Sequence, residues 1–442
     1  KNMKQALKDG YGNAMSAIID ANVTTILTGI ILAYFGTGPI KGFATTLIIG
    51  ILCSLLTAIF VSRLIFDLYS KSEGFEKLTF STKLSENWFK NVKFDFIGKS
   101  KPYLMAAFGV IIVAIVSLFA IGLQQGIDFS GGRNYTVKFE KDVTTGEVKD
   151  LLDNAFDGAN ASVITIGSAD QVRISTNFRI HDTEDDVDAD IESRLYNSLK
   201  PILNNGVSED MFVNRYVVND GVASLADAQS EVTYGIQSSQ KVGPTMADDI
   251  KISAVIAVLI AMLGIGLYIF LRFNRIAYSG GALLALAHDT LFILLLYCIL
   301  PLTGVVPFSL EVDQSFIAAI LTVIGYSIND KVVIFDRIRE FIHNRKGADF
   351  NKQDVFNSAI SSTLSRTFST SLSTLIVLVI IFFFGGETIR GFIFAMLIGV
   401  IVGTYSSIFI AAPFACKYYS AKADEEEEAK RIEKEKRLAE RA

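Results

Sequence analysis

Apolar residues run along this chain in eight long blocks, separated by short polar turns and one long polar interval. A membrane-crossing helix needs roughly 20 mostly apolar residues. The blocks at 16–35, 42–68, 102–123, 250–271, 277–300, 315–336, 359–384 and 390–416 meet that need. The polar interval, 124–247, has another rhythm. It opens on Gly126-Ile-Asp-Phe-Ser-Gly-Gly132 and continues as an alternating strand from Asn134 to Phe139. A helix capped by Thr144 or Thr145 follows, then a hairpin of Val163–Ile166 and Gln171–Ser175. An amphipathic helix from Thr183, as N-cap, to Leu203 and a last strand within 211–236 complete it. The order β-α-β-β-α-β predicts a split-βαβ, ferredoxin-like unit. The fold class expected is a polytopic α-helical membrane protein of eight spans with one α+β domain.

Composition agrees with that mixture. Half the residues are apolar, 20% are charged and mean hydropathy is +0.40. This is too apolar for an ordinary soluble chain and too charged for spans alone. The cysteines, Cys53, Cys298 and Cys416, lie in apolar runs, so neither a disulfide framework nor a metal cluster is expected. A net charge of −5 gives no reason to expect nucleic acid. The start at Lys1, without Met or a cleavable signal pattern, predicts that an N-terminal part precedes this sequence.

Lys and Arg set the expected orientation. Lys1, Lys4 and Lys8, seven lysines in 69–101, Arg272 and Arg275, the 337–352 segment and the tail fall on one side if the eight spans alternate. Both termini are then cytoplasmic and 124–247 lies outside. That interval carries 10 Lys plus Arg against 20 Asp plus Glu, which suits a domain folded in water. The predicted units are 1–68, two spans; 69–101, a cytoplasmic linker; 102–123, one span; 124–247, the outer domain; 248–417, five spans; and 418–442, a charged tail. In the linker, Trp88, Phe89, Phe94, Phe96 and Ile97 among lysines suit a helix at the headgroup level.

The chain repeats itself. Phe35-Gly-Thr-Gly-Pro-Ile-Lys-Gly-Phe43 resembles Phe384-Gly-Gly-Glu-Thr-Ile-Arg-Gly-Phe392 at an offset of 349. The similarity continues through Gly50 and Gly399, so the first two spans correspond to the last two. Transporters are often built from such repeats.

Ionisable residues inside spans are the candidate chemistry. His288 and Asp289 sit near the middle of a span. Asp330 lies near the cytoplasmic end of the next, on one face with Tyr326 and Ser327. In the following span Arg366, Ser369, Thr370 and Ser373 form a polar stripe, and Asp20 with Ser16, Thr24 and Thr28 forms another in the first. A carboxylate whose distance to a guanidinium changes would take up or release a proton. Asp330 with Arg366 is the favoured relay, His288 and Asp289 stand beside it, and Asp20 and Asp336 are weaker candidates. Lys331 would snorkel, or pair with Asp330 in competition with Arg366. No G-x-x-x-x-G-K-[ST], H-E-x-x-H, C-x-x-C or G-x-S-x-G pattern occurs, so no ATP site, cofactor, metal site or catalytic triad is expected.

These segments together resemble the protein-export membrane proteins SecD and SecF, fused as SecDF, of the resistance-nodulation-division (RND) superfamily. Gly10-Tyr-Gly-Asn-Ala, Asp20-Ala-Asn-Val-Thr-Thr25 and the Phe35–Phe43 turn resemble the end of SecD. Phe94-Asp-Phe-Ile97 and the Gly126–Gly132 loop, with Asp128, Phe129, Gly131 and Gly132, resemble the start of SecF. Val242-Gly-Pro244, Ala287-His-Asp289, Gly325-Tyr-Ser-Ile-Asn-Asp330, Phe335-Asp-Arg-Ile-Arg-Glu340, Ser365-Arg-Thr367 and Phe384-Gly-Gly386 continue the likeness. The resemblance implies an RND-type bundle and an accessory factor of the Sec translocase in the bacterial inner membrane. It implies use of the proton gradient, with the family's relay falling on Asp330 and Arg366. Implied partners are the SecYEG translocon, YajC/YidC-type membrane proteins, unfolded preprotein and the lipid bilayer. The family's matching Asp-Ala-Asn in the SecD half has no counterpart here, and Asp20 lies one helix later. Lys331 stands where the family usually has a small hydroxyl residue. An RND-type exporter of small molecules or lipids, and a non-transporting scaffold for the translocon, are the alternative readings.

Overall fold

The computed structural model describes residues 3–36, 38–70, 89, 92, 94–153, 155–156, 161–166, 168–182, 186–204, 206–219, 222–225, 233–306, 308–344 and 351–419. Trp88, Thr183 and the charged tail lie outside them.

Among the described residues, eight helices are long and apolar enough to cross a membrane, as the hydropathy predicts. The chain is a multi-pass membrane protein. The first span is α1 (Met3–Phe35). The second is α2 (Gly38–Leu56), a π-helical stretch (Thr57–Val61) and α3 (Ser62–Tyr69). The third is α4 (Ser100–Ala120). After a one-turn α5 (Ile127–Ser130) and the outer domain come α9 (Pro244–Phe273), α10 (Ile276–Thr303), α11 (Gln314–Asn344) and α12 (Lys352–Phe384). The last span is α13 (Glu387–Ser406), a second π stretch (Ser407–Ala411) and α14 (Ala412–Tyr418). The ends follow from local chemistry. Pro244 opens α9, where its missing N–H costs nothing. Asn274 and Gly304 close α9 and α10 in left-handed conformations.

The repeat is visible in the element boundaries. α1 and α12 both have 33 residues, and their ends differ by 349 positions. The turn, the start of the next helix and the end of α3 against α14 keep the same offset. The two π stretches correspond to within one residue. Each opens on a hydroxyl residue that bonds the carbonyl four residues back: Thr57 to Cys53 at 2.8 Å, Ser407 to Gly403 at 2.7 Å. Such back-bonding competes with the helical ladder. The repeat mates Phe43 and Phe392 touch edge to face, with ring centroids 5.6 Å apart.

α11 is the centre of the bundle: 83% of its most apolar window is buried, against 6% for the second span. The bundle core joins α9, α10, α11 and the last span through Ile265, Ile269, Leu286, Ile324, Ile328, Phe335 and Ile410.

The outer domain has its own core. β1 (Gly132–Lys138), α6 (Thr145–Leu152), β2 (Ala161–Thr165), β3 (Gln171–Thr176), α7 (Val187–Leu199), α8 (Glu209–Val213), a hairpin of β4 (Tyr216–Asn219) and β5 (Val222–Leu225), and β6 (Gly235–Val242) follow in order. The main sheet is antiparallel in the order β2-β3-β1-β6, the arrangement a split βαβ unit gives. Val187, Ile191, Leu195 and Leu199, four residues apart along α7, are all fully buried on this sheet. Two expectations need correction. α7 starts at Val187 after Asp186, and the last sheet strand is 235–242. The inserted α8 and hairpin occupy most of the interval where that strand was expected.

The expected headgroup-level helix also needs correction where its residues are described. Residues 94–99 form an extended stretch and a turn, and Phe96 and Ile97 are buried in the bundle core. Asn357 of α12 holds this turn by donating to Asp95 at 2.7 Å and accepting from the Ile97 N–H at 3.1 Å. The Gly98 N–H, donating at 2.7 Å, and the Asn357 amide hold the Asp95 carboxyl below the usual carboxylate range.

Candidate functional site

The candidate residues divide into three groups. The first lies deep in the bundle where α10, α11 and α13 meet. Asp289 of α10 is 1% exposed and Lys331 of α11 is 0% exposed. The Lys331 Nζ lies 3.2 Å from Asp289 Oδ2. That oxygen also accepts from Ser327 Oγ and Ser406 Oγ, both at 2.8 Å. The other carboxylate oxygen is 3.3 Å from His288 Nδ1. Lys331 therefore neither snorkels nor pairs with Asp330, because adjacent residues on a helix point about 100° apart.

Asp330 faces α12 and α13 instead. It is 5% exposed, and its Oδ2 accepts long hydrogen bonds from Ser371 and Thr404, both at 3.5 Å. Those two hydroxyls share a 2.6 Å bond. Among the described residues no cation is within ion-pair distance of Asp330. Arg366 is exposed on α12, together with Ser369, Thr370 and Ser373. The stripe expected to face Asp330 points away from the protein. Its hydroxyls need no partner helix, because Thr370 and Ser373 bond carbonyls of their own helix. Ser371, buried on the neighbouring face, was the informative position. Tyr326 also turns to α12, where its hydroxyl lies 3.1 Å from Thr374 Oγ1.

The second group closes the basic end of the bundle. Asp20 of α1 accepts from Arg272 Nε and from the Tyr268 hydroxyl of α9, both at 2.7 Å. Arg272 reaches Asp336 of α11 at 3.6 Å, and Arg339 reaches the same carboxylate at 3.2 Å. Asp20, Thr24 and Thr28 face into the bundle. The weaker candidates Asp20 and Asp336 thus share one arginine and join three helices.

The third group joins the outer domain to the N-terminal end of α11. Gln125 and Val312 form a short parallel bridge. Asp128 accepts from the Gln314 N–H at 3.2 Å, and Asp313 caps α11 by accepting from the Phe316 N–H at 2.8 Å. Glu311 accepts from Ser162 of β2 at 2.8 Å. Burial, with Asp128 and Glu311 beside it, pushes the Asp313 carboxyl up to about 6. Phe129 inserts into the bundle core and borders a small cavity with Leu32, Ile40, Ala254 and Leu321. Gly131 and Gly132 have φ of +70° and +149°. A Cβ on Gly132 would stand 2.8 Å from the Thr176 carbonyl oxygen, so only glycine lets β1 enter the sheet there.

Among the described residues, no group of three or more His, Cys, Asp or Glu side chains is disposed to hold a metal ion.

Residues 1–72 and 223–421 match the family described as protein export membrane protein SecD/SecF, C-terminal. Residues 116–143, which contain the Asp128–Gly132 loop, match the SecD/SecF GG motif. The chain belongs to the SecD/SecF family. It is 36% identical over 326 residues to the protein translocase subunit SecF of Rhodothermus marinus, covering 74% of this chain and 93% of that one. It is 30% identical to the protein translocase subunit SecDF of Bacillus subtilis, covering 93% of this chain and 52% of that one. The crystal structure of SecDF from Thermus thermophilus, titled a translocon-associated membrane protein, superposes with a TM-score of 0.73 at 28% identity. That match covers 94% of this chain and 50% of the other. The chain thus spans nearly all of the SecF relative and about half the length of the SecDF relatives.

The geometry of the SecD/SecF motif loop explains its composition: two glycines admit the strand, Phe129 anchors in the bundle and Asp128 holds the N-terminal end of α11. Sequence reasoning missed Ser406, Thr404, Asp313 and Glu311. Only Asp313 had a local signal, an Asp two residues before an apolar helical run.

Proposed function

We propose that this chain acts as a non-catalytic accessory subunit of a Sec protein translocase, in which proton exchange at Asp330 drives its part in preprotein export. The names of its SecF and SecDF relatives support the translocase role. One observation carries the ion coupling. Asp330 is buried between three helices on two long hydroxyl bonds, while Asp289, a neighbour across the helix pair, is fully paired. A carboxyl group held so loosely can gain or lose a proton without breaking an ion pair. Arg366 lies five residues before Ser371, about 7.5 Å along the axis of α12. A movement of α12 that turns Arg366 inward as well as shifting it along the axis, and so brings its guanidinium to Asp330, would favour the charged carboxylate, and the return stroke would favour the proton. The contacts that join the outer domain to the N-terminal end of α11 would carry that movement outward.

In this reading the protein sits in the bacterial inner membrane with both termini cytoplasmic and 124–247 periplasmic. Its partners are the SecYEG channel, YajC/YidC-type proteins and the unfolded preprotein.

The test is gradient-dependent export into sealed vesicles by the full-length protein. Asp330→Asn and Arg366→Ala should each abolish the gradient-dependent part while leaving the protein inserted. Unchanged export in both variants would sink the relay and favour a scaffold.

A further inference from the structure

The proton-exchange reading leaves one buried cation unused. The Lys331 ammonium is completely enclosed, and its hydrogen-bond partners are all oxygens. Its neighbours are Asp289 Oδ2 at 3.2 Å, Ser327 Oγ at 2.5 Å, the Ser327 carbonyl at 3.2 Å and Ser406 Oγ at 3.2 Å. Those four oxygens exceed the three N–H bonds an ammonium can donate. They come from α10, α11 and the last turn of α13, where the helix passes into its π stretch. Wide turns of this kind recur at functional sites. The second oxygen of Asp289 is already engaged by His288.

One carboxylate, two hydroxyls and a main-chain carbonyl are hard ligands carrying a single negative charge. That set suits a monovalent cation: a divalent ion would be left under-neutralised, and a soft metal finds neither sulfur nor a free imidazole. Oxygen shells where membrane helices depart from regular winding are a recurrent way of holding such ions. We propose that the Asp289, Ser327 and Ser406 shell is a monovalent-cation site whose occupant is the protein's own Lys331 side chain. The lysine is a tethered ion. It neutralises Asp289 permanently, pins α10, α11 and α13 together, and closes the shell to exchange with solution. Replacing it by a small hydroxyl residue removes the charge and the four-carbon stem, and opens the shell to a free ion such as sodium.

The shell is independent of preprotein export and can be probed without it. The probe is sodium chloride against choline chloride at equal ionic strength, with thermal unfolding of the purified full chain in lipid nanodiscs as readout. The wild-type protein should respond identically to the two salts. Lys331→Ser should be stabilised saturably by sodium alone, with its folding equilibrium shifted at least about tenfold at saturation. The paired variant Lys331→Ser with Asp289→Asn lacks the anionic ligand and should again treat the salts alike. A Lys331→Ser protein that can be purified folded only in sodium supports the proposal equally.

Equal behaviour of Lys331→Ser in both salts would overturn the proposal, since Asp289 would then have taken a proton in place of an ion. A sodium-specific response in the wild type would overturn it too, by showing that the ion binds elsewhere. So would a Lys331→Ser chain that folds in neither salt, whether or not the paired variant folds.

Discussion

The Lys331 ammonium lies 3.2 Å from the Asp289 carboxylate, across the α10–α11 interface and away from Asp330, its neighbour in the chain. Both partners are at most 1% exposed. Breaking a buried pair by removing one member strands the other charge and costs about 3–5 kcal/mol, whereas removing both is often near neutral. Lys331→Met in sodium-free buffer should therefore lose about that much unfolding free energy. The double variant Lys331→Met, Asp289→Leu should recover most of it. A double-mutant cycle by denaturant unfolding in micelles measures this, and additive losses would contradict the pair.

Asp330 should behave in the opposite way. Its two 3.5 Å hydroxyl contacts are at the limit of hydrogen bonding, so Asp330→Asn should change stability by no more than about 1 kcal/mol. Asp289→Asn should cost roughly 3 kcal/mol or more. The same unfolding assay ranks the two, and the reverse order would mean that the pairing described here is wrong.

Gly403 sets how closely α13 approaches α11. A Cβ there would meet Ser327 Oγ at 2.6 Å, and one on Gly399 would meet Val323 Cγ2 at 2.3 Å. Overpacking of this kind costs about 1–3 kcal/mol. Gly403→Val should lower thermal stability by that amount and displace Ser327 from Asp289. Gly386→Val, where nothing approaches within 4 Å, is the control and should be milder.

Asp313 gives the domain junction a pH dependence. Its carboxyl is held up to about 6 in the fold, against 3.8 ordinarily. The folded protein thus binds this proton more tightly than the unfolded chain does. The resulting stabilisation is full below about pH 4, declines as pH rises through 4 to 6, and is absent above that range. Asp313→Asn keeps a capping side chain but does not titrate. Its unfolding midpoint should vary less than the wild type's between pH 4 and 7, and parallel curves would argue against this assignment.

The spans and the strand order were legible because hydropathy and period-two alternation are local signals. The side-chain partners were not. Asp330 and Lys331 differ by one position, so a face read from Tyr326, Ser327 and Asp330 could not show that Ser327 serves Asp289 while Tyr326 turns to α12. Arg366 attracted attention as a charge in an apolar helix, but charge says nothing about which side of the helix has a neighbour. The late arrival of β6 reflects the inserted α8 and hairpin, whose short strands carry the same alternation as a sheet member. Ser406 carried no signal at all, since its importance comes from three helices meeting.

The paired hairpins, 3–69 and 352–418, present one backbone shape in two surroundings. The π stretch at Ser407–Ala411 is packed inside the bundle, while no residue of the one at Thr57–Val61 is buried. The widened turn travels with the repeat: each hairpin carries one, at positions that correspond to within one residue. Transplanted into an unrelated apolar helix, either hairpin should carry its irregularity along.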